Sequence, residues 1–301
     1  MDYLFAIDNK IIIQRDEMAF IHSAGDAATS WNIPGQAGAS SVFLLIDGAQ
    51  YPGIWRILQY RFRRLPWVSL ADADCASESG PVLLHATSDQ TMTLAWFLEH
   101  TKGLHCLSWI ESSLGLTAMR DHLRSLARIT AEDGVSYDMR FYDTRILPAW
   151  YQMLDAHQEV HALGPINSWT YLDRDSLPCT LFGHSQAHAP AGQTLQLSAT
   201  QERSLLEATL PDIVLEYLEQ NGNADLAAMP PAQRYAFIAD QVKKASSQYG
   251  IVSIQEIALF CSLALGIGCN FDKLLPVAQV LQKFTGAAAR SAGGYAALQN
   301  A

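Results

Sequence analysis

Between Leu116 and Trp150 the chain changes its hydrophobic period twice within thirty-five residues, and this restricts the folds open to it. Leu116, Met119, Leu123, Leu126 and Ala127 recur at helical spacing, with Asp121, Arg124 and Arg128 opposite and Arg120 and His122 at the flanks. Glu132-Asp133-Gly134 signals a turn. Tyr137, Met139 and Phe141 then alternate with Asp138, Arg140 and Tyr142, as in a strand. Asp143 ends the alternation and suits the cap of a helix running from Thr144 to about His161, because its carboxylate can accept from free N–H groups there. A helix, a strand and a second helix start thus lie side by side, with Arg124, Arg140, Asp143 and Arg145 near the junctions.

The same alternation of elements extends through the first half of the chain. Val42–Ile46, Val82–Ala86, Leu104–Ile110 and Ile166–Leu172 read as strands. Trp55–Leu65 reads as a helix, and a helix capped by Ser88 or Asp89 runs through Glu99 with Met92, Ala95 and Trp96 turned inward. The expected fold class is α/β: an N-terminal, mainly parallel or mixed sheet flanked by helices, followed by a smaller all-α lobe. Tyr3–Ile7 and Ile11–Ile13 suggest a hairpin or edge strand, and Trp31–Ser41 a loop. Glu202–Glu219, Pro231–Gln248, Ser253–Leu265 and Leu274–Phe284 read as helices. The resulting division is 1–175 as an α/β domain, 176–200 as an irregular linker with one short strand at Thr194–Leu197, 201–285 as the helical lobe and 286–301 as a tail.

Several motifs in this frame resemble a known family. "HLR" at His122–Arg124 and "RFYDTR" at Arg140–Arg145 follow "LLIDGAQYP" (Leu44–Pro52), "GPVLL" (Gly80–Leu84) and "LSWIESSLGL" (Leu107–Leu116). In this order they resemble the type VI secretion effector adaptor, or chaperone, family, whose domain was long catalogued as of unknown function. The resemblance spans roughly Val42 to Trp169. Thr144 stands where the family has Pro, a residue suited to a first helical position. The resemblance implies a cytoplasmic bacterial protein without a cofactor. It would bind the N-terminal region of a cognate effector, including amphipathic or membrane-spanning helices, and help mount it on the secretion spike protein.

The Arg/Asp set reads in two ways. Arg124, Arg140, Asp143 and Arg145, with His122, form either an internal salt-bridge and capping network or a surface that grips a partner's carboxylates. In the helical lobe, Ile257–Cys269 is nearly all apolar. It is either a buried central helix or, through Ile257, Leu259, Phe260, Leu263 and Leu265, one wall of an apolar groove. The run is too short to span a bilayer, so no stable membrane insertion is expected. The N-terminus lacks a basic region followed by an apolar run, so it does not read as a signal peptide.

Other constellations compete with a binding role. Gly183-His184-Ser185-Gln186-Ala187 resembles a nucleophile elbow, which makes a serine hydrolase using Ser185 the alternative function. Against it, Pro190 and Gly192 oppose the required helix, and no His follows His188. Cys179, His184 and His188, with His157 and His161, have spacing a zinc site could use, yet no paired Cys accompanies them. Arg56, Arg61, Arg63 and Arg64 interleave with Trp55, Tyr60, Phe62 and Trp67. This pattern suits single-stranded nucleic acid, an acidic protein segment, or a helix with snorkelling arginines. A net charge of −10 argues against a general nucleic-acid binder. Five cysteines without a C-x-x-C pair point to reduced thiols. No Walker A, G-x-G-x-x-G or H-E-x-x-H motif occurs. The balance favours a protein-binding, non-enzymatic role, with a scaffold unrelated to secretion as the remaining rival.

Overall fold

Strands rich in leucine and β-branched residues, buried on both sides, set the framework of the first half of the chain. The computed structural model describes residues 12–13, 41–71, 80–86, 90–184 and 194–281. The chain divides into two compact units, Met1–Arg203 and Ser204–Ala301.

In the first unit, seven strands form one sheet. They are β1 (Ile12–Ile13), β2 (Ser41–Ile46), β3 (Trp67–Ser69), β4 (Val82–Ala86), β5 (Leu107–Ser112), β8 (Ile166–Leu172) and β9 (Pro178–Phe182), in the order β1-β9-β8-β5-β2-β4-β3. A second, three-stranded sheet joins β10 (Leu195–Leu197), β6 (Arg128–Ala131) and β7 (Ser136–Asp138) in that order. In β2 every residue from Val42 to Ile46 is buried, as expected of a central strand covered on both faces.

The α/β class and the helical C-terminal region are as expected, but the large sheet is antiparallel at every ladder instead of mainly parallel or mixed. The reason lies in the connections. β4, the helix α2 (Gln90–His100) and β5 make a crossover between two strands that run the same way, but β2 is inserted between them and pairs antiparallel with both. Alternation of strand and helix along the sequence therefore does not make sequence neighbours sheet neighbours. Among the described residues, the one parallel ladder lies in the small sheet, between β10 and β6.

Helices cover both faces. One face presents Leu44, Ile46, Val82, Leu84 and Leu107 to Ile54 and Leu58 of α1 (Ile54–Tyr60) and to Leu94 and Phe97 of α2. On the other face, Trp169 of β8 meets Phe141 and Trp150 at centroid separations of 5.5 and 6.2 Å, and α3 (Leu116–Leu126) packs Met119, Leu123 and Leu126 inward. α3 ends at Leu126 because Arg128 and Ile129 already belong to β6. The expected strand through Tyr142 stops at Asp138; Met139 and Phe141 are buried from a loop, and Tyr137 is exposed. The helix expected from Thr144 to His161 is two helices, α4 (Leu147–Met153) and α5 (Ala156–Leu163). They are separated at Asp155, whose carboxylate caps α5 by accepting from the His157 and Gln158 amides.

The stretch read as irregular after residue 175 holds β9, paired with β8. Gly183 follows it, with its amide donating to the Asn167 carbonyl at 3.0 Å. A Cβ on Gly183 would run into the carbonyls of Ile166 and Leu163. The glycine that opens the elbow-like motif is thus required by the close approach of β9 to the start of β8.

The second unit is helical. α6 (Ala199–Gln220) leads into it, followed by α7 (Ala224–Ala228), α8 (Pro231–Tyr249) and α9 (Ile254–Ile267), and residues 275–281 are also helical. Val214, Leu218, Leu226, Ile238, Val242, Ile257, Phe260 and Phe271 belong to its core. Lys244 donates to Asp272 at 2.6 Å and the Tyr249 hydroxyl donates to the same carboxylate at 2.7 Å, tying α8 to the turn after α9. Among the described residues, no single helix is long and apolar enough to cross a membrane. Tyr3–Ile7, the loop at 31–40, Ser88, Asp89 and the tail at 286–301 lie outside the described residues.

Gly183→Ala is expected to lower the stability of the first unit by about 3 kcal/mol, because the methyl group has only backbone to displace. A denaturant titration followed by tryptophan fluorescence checks this, since all seven tryptophans precede residue 204.

Candidate functional site

β2 ends at Ile46, and the next residue, Asp47, is fully buried. Its amide donates to the Cys106 carbonyl at 2.8 Å, and one carboxylate oxygen accepts from the Ala49 amide at 2.9 Å. The other accepts from the Arg140 guanidinium at 2.9 Å, across 93 residues of sequence. Arg140 also lies 3.9 Å from Asp143, a second fully buried carboxylate. Asp143 is held by Arg145, whose Nη2 donates to Oδ2 at 2.6 Å and whose Nε and backbone amide donate to Oδ1 at 3.0 Å. Two buried carboxylates thus meet two guanidiniums, which removes the net charge of the cluster.

Backbone bonds lock the same junction. The Thr144 amide donates to the His105 carbonyl at 3.1 Å, and the Ile146 and Leu147 amides donate to the Asp143 carbonyl at 3.0 Å, which starts α4. Asp143 therefore braces the turn before α4 through its backbone carbonyl, while its carboxylate closes onto Arg145. The end of β2, the entry to β5 and the start of α4 are fastened at one point. For Arg140, burial disfavours the charged form, but Asp47 and Asp143 outweigh it and hold the group above its ordinary pKa. The Cys106 thiol beside them is pushed up to about 12 by burial, with Asp47 and Asp143 adding to the effect. It is not a nucleophile at neutral pH.

The sequence-derived set is therefore divided. Arg140, Asp143 and Arg145 form one network, and Asp47 belongs to it although sequence reasoning gave it no role. Its only signal was its place in the "LLIDGAQYP" stretch. Arg124 and His122 lie in the last two turns of α3. His122 joins α3 to α5: its Nε2–H donates to the Ala162 carbonyl at 2.9 Å, and its ring centre is 6.4 Å from that of His161. Burial lowers the pKa of His122; the bond to Ala162 opposes this and His161 adds to it.

The five α9 residues do not share one face. Ile257 and Phe260 are core, and Leu265 packs against that core, while Leu259 is 60% and Leu263 37% exposed. At 100° per residue, Leu259 and Leu263 continue to Ile267, also exposed, in a narrow stripe. Among the described residues, no group of three or more His, Cys, Asp or Glu side chains could hold a metal ion. His184 lies 3.9 Å from Glu159, and His157 contributes its amide to the cap of α5. Ser185 and His188 lie outside the described residues.

The face of α2 is also not the expected one. Thr93, Leu94 and Phe97 point inward, whereas Met92 is 66% exposed, Ala95 is exposed and Trp96 is half-buried. Two stripes of similar apolarity run along this helix, and its spacing alone does not separate them.

Residues 42–160 match a domain of unknown function (DUF4123), a family associated with type VI secretion effector adaptors. Asp47, Arg140, Asp143 and Arg145 all fall inside the matched span. Neither a curated protein nor a solved structure gives a match.

Two outcomes follow. Arg140→Ala, which leaves Asp47 buried with one backbone donor, and Asp143→Ala are each expected to lower the stability of the first unit by about 2–3 kcal/mol in a fluorescence-monitored urea titration. His122 gives a pH dependence whose sign is fixed by its lowered pKa. The unfolded chain takes up a proton near pH 6.5 and the folded chain resists it, so stability present above about pH 6.5 declines as the pH falls below that value. Replacing His122 with Gln is expected to reduce that decline between about pH 7 and about pH 5.5; His85, whose pKa burial also lowers, contributes with the same sign.

Proposed function

We propose that this chain is a non-enzymatic type VI secretion adaptor. It binds the N-terminal region of a cognate effector in the bacterial cytoplasm and helps load it onto the secretion spike protein. The observation that carries this reading is the meeting of two family-like stretches, Leu44–Pro52 and Arg140–Arg145, in one buried cluster within the matched residues 42–160. A motif spent on an internal brace defines a scaffold, and no reacting group is needed for it to work. Asp143, with no exposed surface, has no face to offer a partner. In the helical unit, Leu259, Leu263 and Ile267 offer an apolar stripe of the kind an amphipathic effector helix covers.

The test is direct. The purified chain is mixed with the N-terminal fragment of the effector encoded beside its gene and passed over a size-exclusion column. Co-elution is expected, as is a ternary complex once the spike protein is added. Separate elution of the chain and the fragment contradicts the proposal.

A further inference from the structure

The exposed stripe of α2 faces a turn crowded with arginines. α1 ends at Tyr60, and Phe62 then folds back into the core, stacked on Phe97 with ring centres 5.1 Å apart and edge-on to Trp96 at the same separation. This anchor leaves Arg61, Arg63 and Arg64 on the outside of the turn, all exposed. Between that turn and the α2 residues Met92, Trp96 and Glu99 lies a cleft of about 660 Å³. The Arg61 guanidinium sits 4.9 Å from the centre of the Trp96 ring, and the ring of His100 stacks on Trp96 at 3.9 Å.

Two features make this cleft unlike ordinary surface. Among the described residues, the guanidiniums of Arg63 and Arg64, and of Arg56 near the start of α1, engage no ion pair or hydrogen bond. Unpaired arginines grouped in a chain of net charge −10 form a local field opposite to that of the whole molecule. The cleft floor is apolar as well: Met92, 66% exposed, and Trp96 lie one helical turn apart. A ligand that fits both must bring negative charge and an apolar side chain together.

We propose that this cleft docks an acidic segment of the partner protein. The segment sets carboxylates against Arg61, Arg63 and Arg64 and an apolar side chain against Met92 and Trp96. The inference rests on the reading of the chain as a protein-binding adaptor and names the chemistry of the segment it takes. A nucleic-acid strand fits less well, because a polyanion extends past the cleft onto a surface of the opposite preference. A short acidic segment confines its charge to the arginine turn, where guanidinium–carboxylate pairing is bidentate.

The probe is a fluorescein-labelled peptide of Glu and Leu residues, read by fluorescence polarisation, with a labelled single-stranded oligothymidine of the same length as the rival. The expected result is peptide binding that weakens several-fold as salt screens the charges. A double variant, Arg63→Glu with Arg64→Glu, is expected to weaken binding at least about tenfold with little change in melting temperature, and Trp96→Ala to weaken it a few-fold. No peptide binding by the unmodified protein, equal binding by the double variant, or tighter binding of the oligothymidine overturns the proposal. The effector fragment separates the two readings. Equal binding of that fragment to the unmodified and double-variant proteins overturns the cleft assignment and leaves the adaptor role standing. Failure of the fragment to bind the unmodified protein overturns the adaptor role, while the peptide titration still decides the cleft.

Discussion

The contact between Arg140 and Asp47 is the constraint on which the first unit turns. A carboxylate with no exposed surface is expensive to bury unless its charge is matched and its lone pairs are occupied. Arg140 supplies the charge, and the Ala49 amide supplies a further donor. Asp143 poses the same problem three residues on, and Arg145 answers it. Because Asp47 directly follows β2, an interior strand of the large sheet, and Asp143 precedes α4, the pairing fixes where the chain re-enters the core after its excursion through α3, β6 and β7. Phe141, between the two arginines, is thereby placed against Trp150 and Trp169. The polar junction and the aromatic packing hold each other in register.

Much of this was legible in the residues, and the failures share a cause. The strand Ile166–Leu172 and the helical nature of Pro231–Tyr249 follow from local period and composition, and the structure has them. The antiparallel order of the large sheet does not follow, because local pattern carries no record of which strand is inserted between β4 and β5. Asp47 escaped notice for the same reason: its partner is 93 residues away, and no local signature marks a contact across that distance. Met139 and Phe141 showed the spacing of a strand, yet a loop that buries every second residue shows the same spacing.

Faces were harder to read than elements. In α2 the stripes through Met92 and Trp96 and through Leu94 and Phe97 are comparably apolar, and only the position of the sheet decides between them. In α9 a nearly uniform apolar sequence hides the division between Ile257 and Phe260 inside and Leu259 and Leu263 outside. The family-like motif and the exposed surfaces also separate. The motif is spent on the junction, in which Arg56, Arg63 and Arg64 and the apolar stripes of α2 and α9 take no part. Such a division lets a fixed frame present surfaces that recognition can use without disturbing what holds the frame.

The central claim is that Asp47 and Arg140 act on each other to hold the fold. A double-mutant cycle on Asp47→Ala and Arg140→Ala, with unfolding followed by the fluorescence of tryptophans confined to the first unit, measures that interaction alone. A coupling free energy of about 1–3 kcal/mol is the predicted result. Additive effects of the two substitutions, with no coupling beyond about 0.3 kcal/mol, would contradict it.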